Sequence, residues 1–207
     1  NLGKQLTKGI SGTIKYSPIY RPHDRVNWTL SANFKHQTAE YRNIGNSLDQ
    51  FNQENRNKNL VRYYDGGSPT SLWAVRSLGI NPTDGREVFL TKDGKYTFEY
   101  NVEDEVIVGN SEPKLEGVVG SVLYYKGFSF SLYFRYSLGA DVFTEATYKK
   151  VENISESQLK YNQDKRALYD RWQKPGDIAK FKGISLTETT PISSRFVMRE
   201  NYIKAES

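Results

Sequence analysis

The feature that most constrains this chain is a strict alternation of apolar and polar side chains that begins at Val26. Every second residue from Val26 to Phe34 is apolar, and the residues between them are polar. A period of two is that of a β-strand whose faces meet different surroundings. Strands of soluble domains usually have about 5–6 residues, whereas this alternation lasts about ten, the length that crosses a bilayer at a tilt. The pattern therefore predicts a strand over 26–41, which fits a membrane barrel and also a half-buried soluble sheet.

A second alternating segment follows the dipeptide Lys126-Gly127. Glycine adopts positive φ freely, so this dipeptide predicts a tight turn between strands over 117–125 and 128–137. After the turn, large apolar residues again occupy every second position: Phe128, Phe130, Leu132, Phe134 and Tyr136. We expect two further strands over about 11–20 and 195–206.

Two long polar segments, 43–116 and 138–194, separate these strands. Turn signals within the first predict a local hairpin near 88–100, and residues 157–172 of the second have some helical character. All the short connections fall at one end of the strands and both long ones at the other. Outer-membrane barrels show this asymmetry, with short periplasmic turns and long extracellular loops. The chain is thus predicted to be all-β, part of an antiparallel transmembrane β-barrel.

Composition narrows the possible functions. Aromatic residues make up 14% of the 207 residues, including 15 Tyr, which suits strands with one apolar face. The chain has no Cys, which excludes disulfides and thiolate metal sites. Its charges are scattered, with a net charge of only +5, so we expect no nucleic-acid partner.

Catalytic patterns are missing from the sequence. There are only two His residues, His23 and His36, and we expect both to have structural roles. The acidic run Glu103-Asp104-Glu105 is expected to be a solvated cluster and not an acid/base pair. We therefore expect neither an enzyme nor a bound metal or cofactor.

Four motifs, in order along the chain, carry a resemblance to a known family: 78–85, 109–114, 170–177 and 194–197. The third reads Asp-Arg-Trp-Gln-Lys-Pro-Gly-Asp and the fourth Ser-Arg-Phe-Val. Together with the 117–137 hairpin, they resemble the C-terminal barrel half of SusC/RagA-type TonB-linked outer-membrane proteins, a group of the TonB-dependent receptor family.

The resemblance implies a barrel of about 22 strands. It also implies a plug domain, which we expect to lie outside this chain. The implied function is import of oligosaccharides or peptides across the outer membrane of a Gram-negative bacterium of the Bacteroidetes type. The implied partners are a SusD-like surface lipoprotein, TonB acting through the plug, and outer-membrane lipid.

Aromatic side chains beside hydrogen-bonding groups in the long loops are the natural contacts for a sugar or a peptide. They are Tyr63, Tyr64, Trp73, Arg171 and Trp172. The same residues also suit packing of the loops against each other, and the position of Trp172 in a family motif suggests such a role.

The alternative to an importer is a soluble β-sandwich of the carbohydrate-binding type, which also alternates and displays aromatic loops. The two differ in the surroundings of Trp28, Leu30, Phe130 and Phe134. A second sheet would bury these residues in a sandwich. In a barrel they face lipid and are uncovered by protein.

Overall fold

The computed structural model describes residues 3–56, 58–185 and 187–206. Within these ranges the chain forms two antiparallel sheets and a few short helices. The strands are β1 (Lys4–Arg21), β2 (Val26–Arg42), β3 (Ser71–Ile80), β4 (Glu87–Leu90), β5 (Tyr96–Thr97), β6 (Glu105–Asn110), β7 (Leu115–Tyr125), β8 (Phe128–Phe143) and β9 (Val197–Ala205). The α-helices are α1 (Asp49–Asn55), α2 (Glu145–Thr147) and α3 (Lys165–Tyr169). Three 3₁₀ turns, Val102–Asp104, Glu156–Gln158 and Ser194–Phe196, and a π-helical turn, Tyr148–Glu152, complete the secondary structure.

The larger sheet has five strands in the order β1-β2-β7-β8-β9, with antiparallel neighbours throughout. Its two tight connections, 22–25 and 126–127, lie at the same end. Lys126 and Gly127 have φ of 47° and 100°, the positive values that a type I′ hairpin turn requires at both positions. We call this sheet the membrane sheet.

The register of the membrane sheet aligns apolar residues into rows that cross all five strands. Ile14 pairs with Ala32, Ala32 with Val119, Val119 with Phe134, and Phe134 with Ala205. Because directly paired residues share a face, this row and its next-but-one neighbours form one apolar face. The interleaved rows are mainly polar, for example Lys15 paired with Ser31 and Arg135 paired with Lys204.

The apolar face of the membrane sheet is uncovered by the described part of the chain. Of the four residues that distinguish a barrel from a sandwich, Phe130 is 61% exposed, and Trp28, Leu30 and Phe134 are half-buried. Phe128 is 79% exposed on the same face. Side chains of this size are rarely left so accessible in water, because each gives up about 1.5–3 kcal/mol of burial free energy. The sheet is therefore a single layer, which is not the arrangement of a β-sandwich.

The strands of this sheet extend beyond the alternating segments. β1 begins at Lys4 and not near residue 11, and β8 continues to Phe143 and not 137. The β1 extension is mostly polar and the β8 extension mostly apolar, and the backbone ladder continues through both, as in the pairs Lys4 with Arg42 and Phe143 with Val197. Side-chain alternation marks the part of a strand that has two unlike faces, whereas hydrogen bonding alone sets where the strand ends. β9 begins at Val197, after a 3₁₀ turn.

The two long connections are structured. The first contains α1 and the second sheet, of order β5-β4-β3-β6, and the second contains α2 and α3. The local hairpin predicted near 88–100 is present as β4 and β5, where Phe89 pairs with Thr97. β3 and β6 were not predicted. They pair with each other across a long stretch of chain, as in Leu72 with Gly109, and β3 also pairs with β4, which follows it across 81–86. We call 43–114 together with 144–196 the loop assembly.

Two hydrophobic clusters lie in the loop assembly, at the end of the membrane sheet away from its tight turns. One is built around Val151, Ala167, Phe181 and Phe196, and the other around Leu60, Leu72 and Ala74. Phe143, the last residue of β8, packs against both. Phe143 thereby joins the end of β8 to the loop assembly. Over the described ranges, every helix is too short and too polar to pass through a membrane.

Candidate functional site

An ionic cluster around Arg195 joins the two long connections. Its guanidinium donates to Glu87 Oε2 at 3.0 Å and to Glu152 Oε1 at 2.9 Å. Ser193 Oγ also donates to Glu87 Oε1, at 2.6 Å. Both carboxylates are buried. Burial acts to lower the pKa of Arg195, but the hydrogen bonds to Glu152 and Glu87 outweigh it and leave that pKa raised. Arg195 is therefore a permanent cation that pins β4 to the π-helical turn.

Arg171 links two separate parts of the connection between β8 and β9. It is only 6% exposed, and its guanidinium donates to the backbone carbonyls of Val151, Glu152, Lys182 and Gly183. Burial away from water lowers its pKa. With its donors directed at four carbonyl oxygens, this side chain fixes the path of the chain.

Trp172 connects two of the family motifs to each other. Its Nε1 donates to the carbonyl of Pro82 at 3.0 Å, and Gly176 N donates to the same oxygen at 2.9 Å. Gly85 lies against the indole so closely that a Cβ there would stand 2.5 Å from the ring. Gly85 also has φ of 71°, a conformation that favours glycine. The motif at 78–85 is therefore the docking partner of the motif at 170–177.

A second buried ion pair supports the segment that carries the predicted aromatic residues. Arg62 is 1% exposed, and its Nη2 lies 2.8 Å from Glu105 Oε2, with Nε 3.0 Å from Oε1. Arg56 forms further salt bridges with Glu103 and Glu105. The expectation that 103–105 is a solvated cluster is wrong for Glu105, because β6 carries it inward to meet Arg62. The sequence offers no signal for this pairing across 43 positions.

Tyr63 belongs to an aromatic group at the edge of the loop assembly. Its ring lies 5.5 Å from that of Tyr41, at the end of β2, and 5.5 Å from that of Phe51, in α1. The Asn52 side chain holds the Tyr63 backbone at both polar groups, at 2.8 and 2.9 Å. An apolar cavity of about 230 Å³ opens between Tyr41, Tyr63, Ile44 and Leu48.

Tyr64 and Trp73 form a separate pair. Their ring centroids are 5.3 Å apart at an angle of 58°. Trp73 Nε1 is buried, and no hydrogen-bond acceptor for it lies among the residues that the structure describes. By their contacts the five predicted residues thus fall into three groups: Tyr63 with Tyr41 and Phe51, Tyr64 with Trp73, and Arg171 with Trp172 in the second long connection.

The described ranges contain no cluster of three or more His, Asp or Glu side chains that could hold a metal ion. His23 lies in the exposed turn between β1 and β2. His36 Nδ1 bonds the carbonyl of Lys114 at 2.7 Å, so this nitrogen carries the proton.

Comparisons with known proteins agree with this architecture. A curated TonB-dependent receptor of Formosa agariphila is 22% identical over 253 aligned residues, which include 99% of this chain. The solved structure of the RagAB peptide transporter superposes on 98% of the chain with a TM-score of 0.75 and 20% identity. The RagAB peptide importer in its open-open state covers 97% of the chain with a TM-score of 0.71 and 19% identity. No protein-family profile matches.

These similarities confirm the resemblance to TonB-dependent receptors of the SusC/RagA type. The chain is mostly antiparallel β-sheet and shares the fold of the corresponding part of the RagAB structures. It spans less than a quarter of each relative: 23% of the Formosa receptor and 22% and 21% of the two RagAB chains.

Proposed function

We propose that this chain is part of a TonB-dependent importer of the outer membrane, and that its five-stranded sheet is an arc of a closed barrel of about 22 strands. The observation that carries the proposal is the uncovered apolar face of the membrane sheet. Lipid tails complete such a face, while the polar face borders a lumen. The long connections then lie outside the cell.

The dimensions of the apolar face support this reading. On β8 the apolar positions run from Phe128 to Leu138, and on β2 from Val26 to Phe34. Both lengths are close to the 9–11 residues that a tilted strand needs to cross the hydrocarbon layer. The aromatic residues Trp28, Tyr125 and Phe128 cluster at the tight-turn end of this face, where an interfacial girdle is expected.

The outer strands of the membrane sheet also support a closed barrel. β1 pairs only with β2 and β9 only with β8 among the described residues. Unpaired strand edges are costly inside a bilayer, because each unsatisfied backbone group costs several kcal/mol. In the proposed barrel, further strands of the longer protein pair with both edges.

The proposed partners follow from the relatives. The proposed cargo is an oligosaccharide or a peptide, and a peptide is the cargo of the RagAB importer. The proposed lid is a SusD-like lipoprotein, as the family resemblance implies. TonB would act through a plug outside this chain. The proposed location is the outer membrane of a Gram-negative bacterium of the Bacteroidetes type.

Within the loop assembly, we assign substrate contact to Tyr63, Tyr64 and Trp73. The Tyr63 ring contacts Tyr41 at the end of β2, and the Tyr64 ring packs against Trp73 in β3. Arg171 and Trp172 direct their polar groups at backbone carbonyls, so we assign them to holding the assembly in shape.

Uptake by intact cells tests the function. Cells that carry the full-length protein should accumulate a labelled peptide digest or a labelled oligosaccharide mixture, and accumulation should stop when TonB is deleted. Accumulation that persists without TonB would contradict the proposal. A soluble β-sandwich binding module, the alternative, would bind sugar without any membrane fraction.

The proposed substrate contacts are tested separately in the same full-length protein. Tyr63→Ala and Tyr64→Ala should each weaken capture by about tenfold, equal to about 1.4 kcal/mol, through loss of an aromatic surface. Tyr161→Ala removes an exposed ring elsewhere in the loop assembly and is the matched control. Equal affinity for all three variants and the parent protein would remove both tyrosines from the site.

A further inference from the structure

A gap opens in the membrane sheet where β2 and β7 separate. Their pairing ends at Lys35 with Glu116, although β2 continues to Arg42 in register with β1. The gap is a cavity of about 360 Å³. Its walls include Gln37, Ala39, Thr70, Asn110, Glu112 and Lys114.

The backbone of β2 turns an open edge toward this cavity. Tyr41 donates its N–H to Gly67 O at 2.8 Å and accepts from Gly66 N at 2.8 Å. At the other end of the strand, Arg25 O accepts from Lys126 N, at the start of the β7–β8 turn. The backbone N–H and C=O of Tyr41 and the C=O of Arg25 therefore point away from β1. Because backbone groups in a strand point the same way at every second residue, the other odd-numbered residues of β2 point away from β1 as well.

Gln37 and Ala39 share that direction and lie beyond the last β2–β7 pair. Their N–H and C=O groups point into the cavity, and the described residues supply no backbone partner for them. Lys114, which stands opposite Gln37 in register, directs its N–H to Leu138 O on β8 instead. The N–H and C=O groups of Gln37 and Ala39, spaced as in a β-ladder, thus have no backbone partner among the described residues.

The rim of the cavity is held in place by side chains. Asp141 Oδ2 accepts from Asn110 N at 3.0 Å, and its other oxygen accepts from Arg199 at 2.8 Å. Asn110 Oδ1 in turn accepts from Glu112 N at 2.8 Å. The carboxylate of Glu112 and the exposed ammonium of Lys114 then provide one charge of each sign at the rim.

This chemistry distinguishes between ligand classes. Along one edge of an extended peptide, N–H and C=O groups recur every second residue, which is about 6.6–6.8 Å. The same spacing separates the unpaired groups of Gln37 and Ala39, so a peptide can pair with this edge of β2. Sugar hydroxyls have no such repeat. The cavity lining also lacks a Tyr, Trp or Phe ring on which a sugar would stack.

We propose that this cavity binds a short extended peptide, which adds to β2 at Gln37 and Ala39 as an extra strand, with Glu112 and Lys114 receiving its charged ends. The site rests on the proposed import function and narrows its cargo to peptides. It is separate from the aromatic group around Tyr63.

Amide hydrogen exchange on the full-length protein in detergent tests this site, with tetra-alanine as the probe. Saturating tetra-alanine should slow exchange of the Gln37 and Ala39 amides by about tenfold. Tetra-alanine N-methylated at all three of its peptide nitrogens has no peptide N–H on either edge and should give no protection. Maltotetraose should give none either.

A variant pair checks that the backbone is the receptor. Ala39→Pro removes the N–H that points into the cavity, at an edge where proline is tolerated, and should abolish protection of Gln37. Ala39→Ser keeps the N–H and should behave as the parent. Equal thermal unfolding of the two variants shows that both are folded.

Three results would overturn the site: no protection by tetra-alanine, equal protection by its N-methylated analogue, or amides already protected before peptide is added. The last would mean that another segment of the longer protein fills the edge. TonB-dependent uptake that survives in Ala39→Pro would reject the site and leave the import function standing. Absence of TonB-dependent uptake by the parent protein itself would count against the import function.

Discussion

The membrane sheet and the loop assembly place the same kinds of residue in opposite ways. In the membrane sheet, Phe128 and Phe130 are among the most exposed side chains, at 79% and 61%. In the loop assembly, Val151 and Phe196 are fully buried at 0%. The loop assembly has a protein core, although it also exposes residues such as Ile178 and Tyr169, whereas the apolar face of the membrane sheet has no protein core against it.

Charges show the same contrast. The loop assembly buries Glu87, Glu105 and Glu152 and matches them with Arg62 and Arg195. The membrane sheet keeps its charges on the polar face, as in the exposed pair of Lys35 with Glu116. The proposed importer accounts for this difference, since it places water around the loop assembly and hydrocarbon along one face of the sheet.

The largest expected effect is loss of the Arg195 cation. Arg195→Leu leaves Glu87 and Glu152 buried without their counterion and should destabilise the loop assembly by about 3–5 kcal/mol. Limited trypsin digestion of the full-length protein should then cut within 144–196 at much lower protease concentration. Arg199→Leu breaks the exposed pair with Asp141 and is the control, with an expected cost of about 1 kcal/mol or less. Equal sensitivity of the two variants would show that the buried cluster does not hold the assembly.

The second prediction compares the stability cost of a cation on the two faces of the membrane sheet. Phe134→Arg puts a cation near the middle of the apolar face and should cost about 2–4 kcal/mol in a bilayer if that face meets lipid. Ser131→Arg puts the same residue three positions away, on the polar face, and should be nearly neutral. Unfolding by guanidinium in lipid vesicles gives the comparison. Similar losses for both variants would mean that the faces do not differ in solvent.

The smallest effect concerns the contact between two motifs. Gly85→Ala combines an unfavourable positive φ with a clash against the Trp172 ring. Gly94→Ala has a similar φ of 78° with open space around it, so it carries the backbone strain alone. We expect about 1 kcal/mol for Gly94→Ala and about 1–3 kcal/mol more for Gly85→Ala, measured as loop-assembly stability. Identical losses would mean that the indole moves aside freely.

The membrane sheet was predictable from the sequence because alternation records the surroundings of each strand directly. From that pattern, Val26–Phe34 and Phe128–Tyr136 can be assigned to strands and their apolar faces identified. The row from Ile14 to Ala205 was not predictable, since it depends on the register between strands. The β1 extension was also missed because most of its residues are polar, and the β8 extension because Gly139, with φ of 80°, interrupts the pattern at a register shift.

The loop assembly was less predictable for a physical reason. Its contacts join residues far apart in sequence, such as Trp172 with Pro82 across 90 positions and Ser193 with Glu87 across 106. Neither partner carries a local signal of the other. The motifs marked Arg171 and Trp172 as special, but only their carbonyl partners show that they support the loops.

The most direct test of the account is the accessibility of single nitroxide labels along β8 in the full-length protein in a bilayer. Labels at 128, 130, 132 and 134 should be accessible to oxygen, which concentrates in lipid, and shielded from a water-soluble nickel chelate. Labels at 129, 131, 133 and 135 should show the reverse. An alternation of period two with this phase is the predicted result. Equal accessibility at both sets, or shielding of the first set from both reagents, would contradict a lipid-facing sheet.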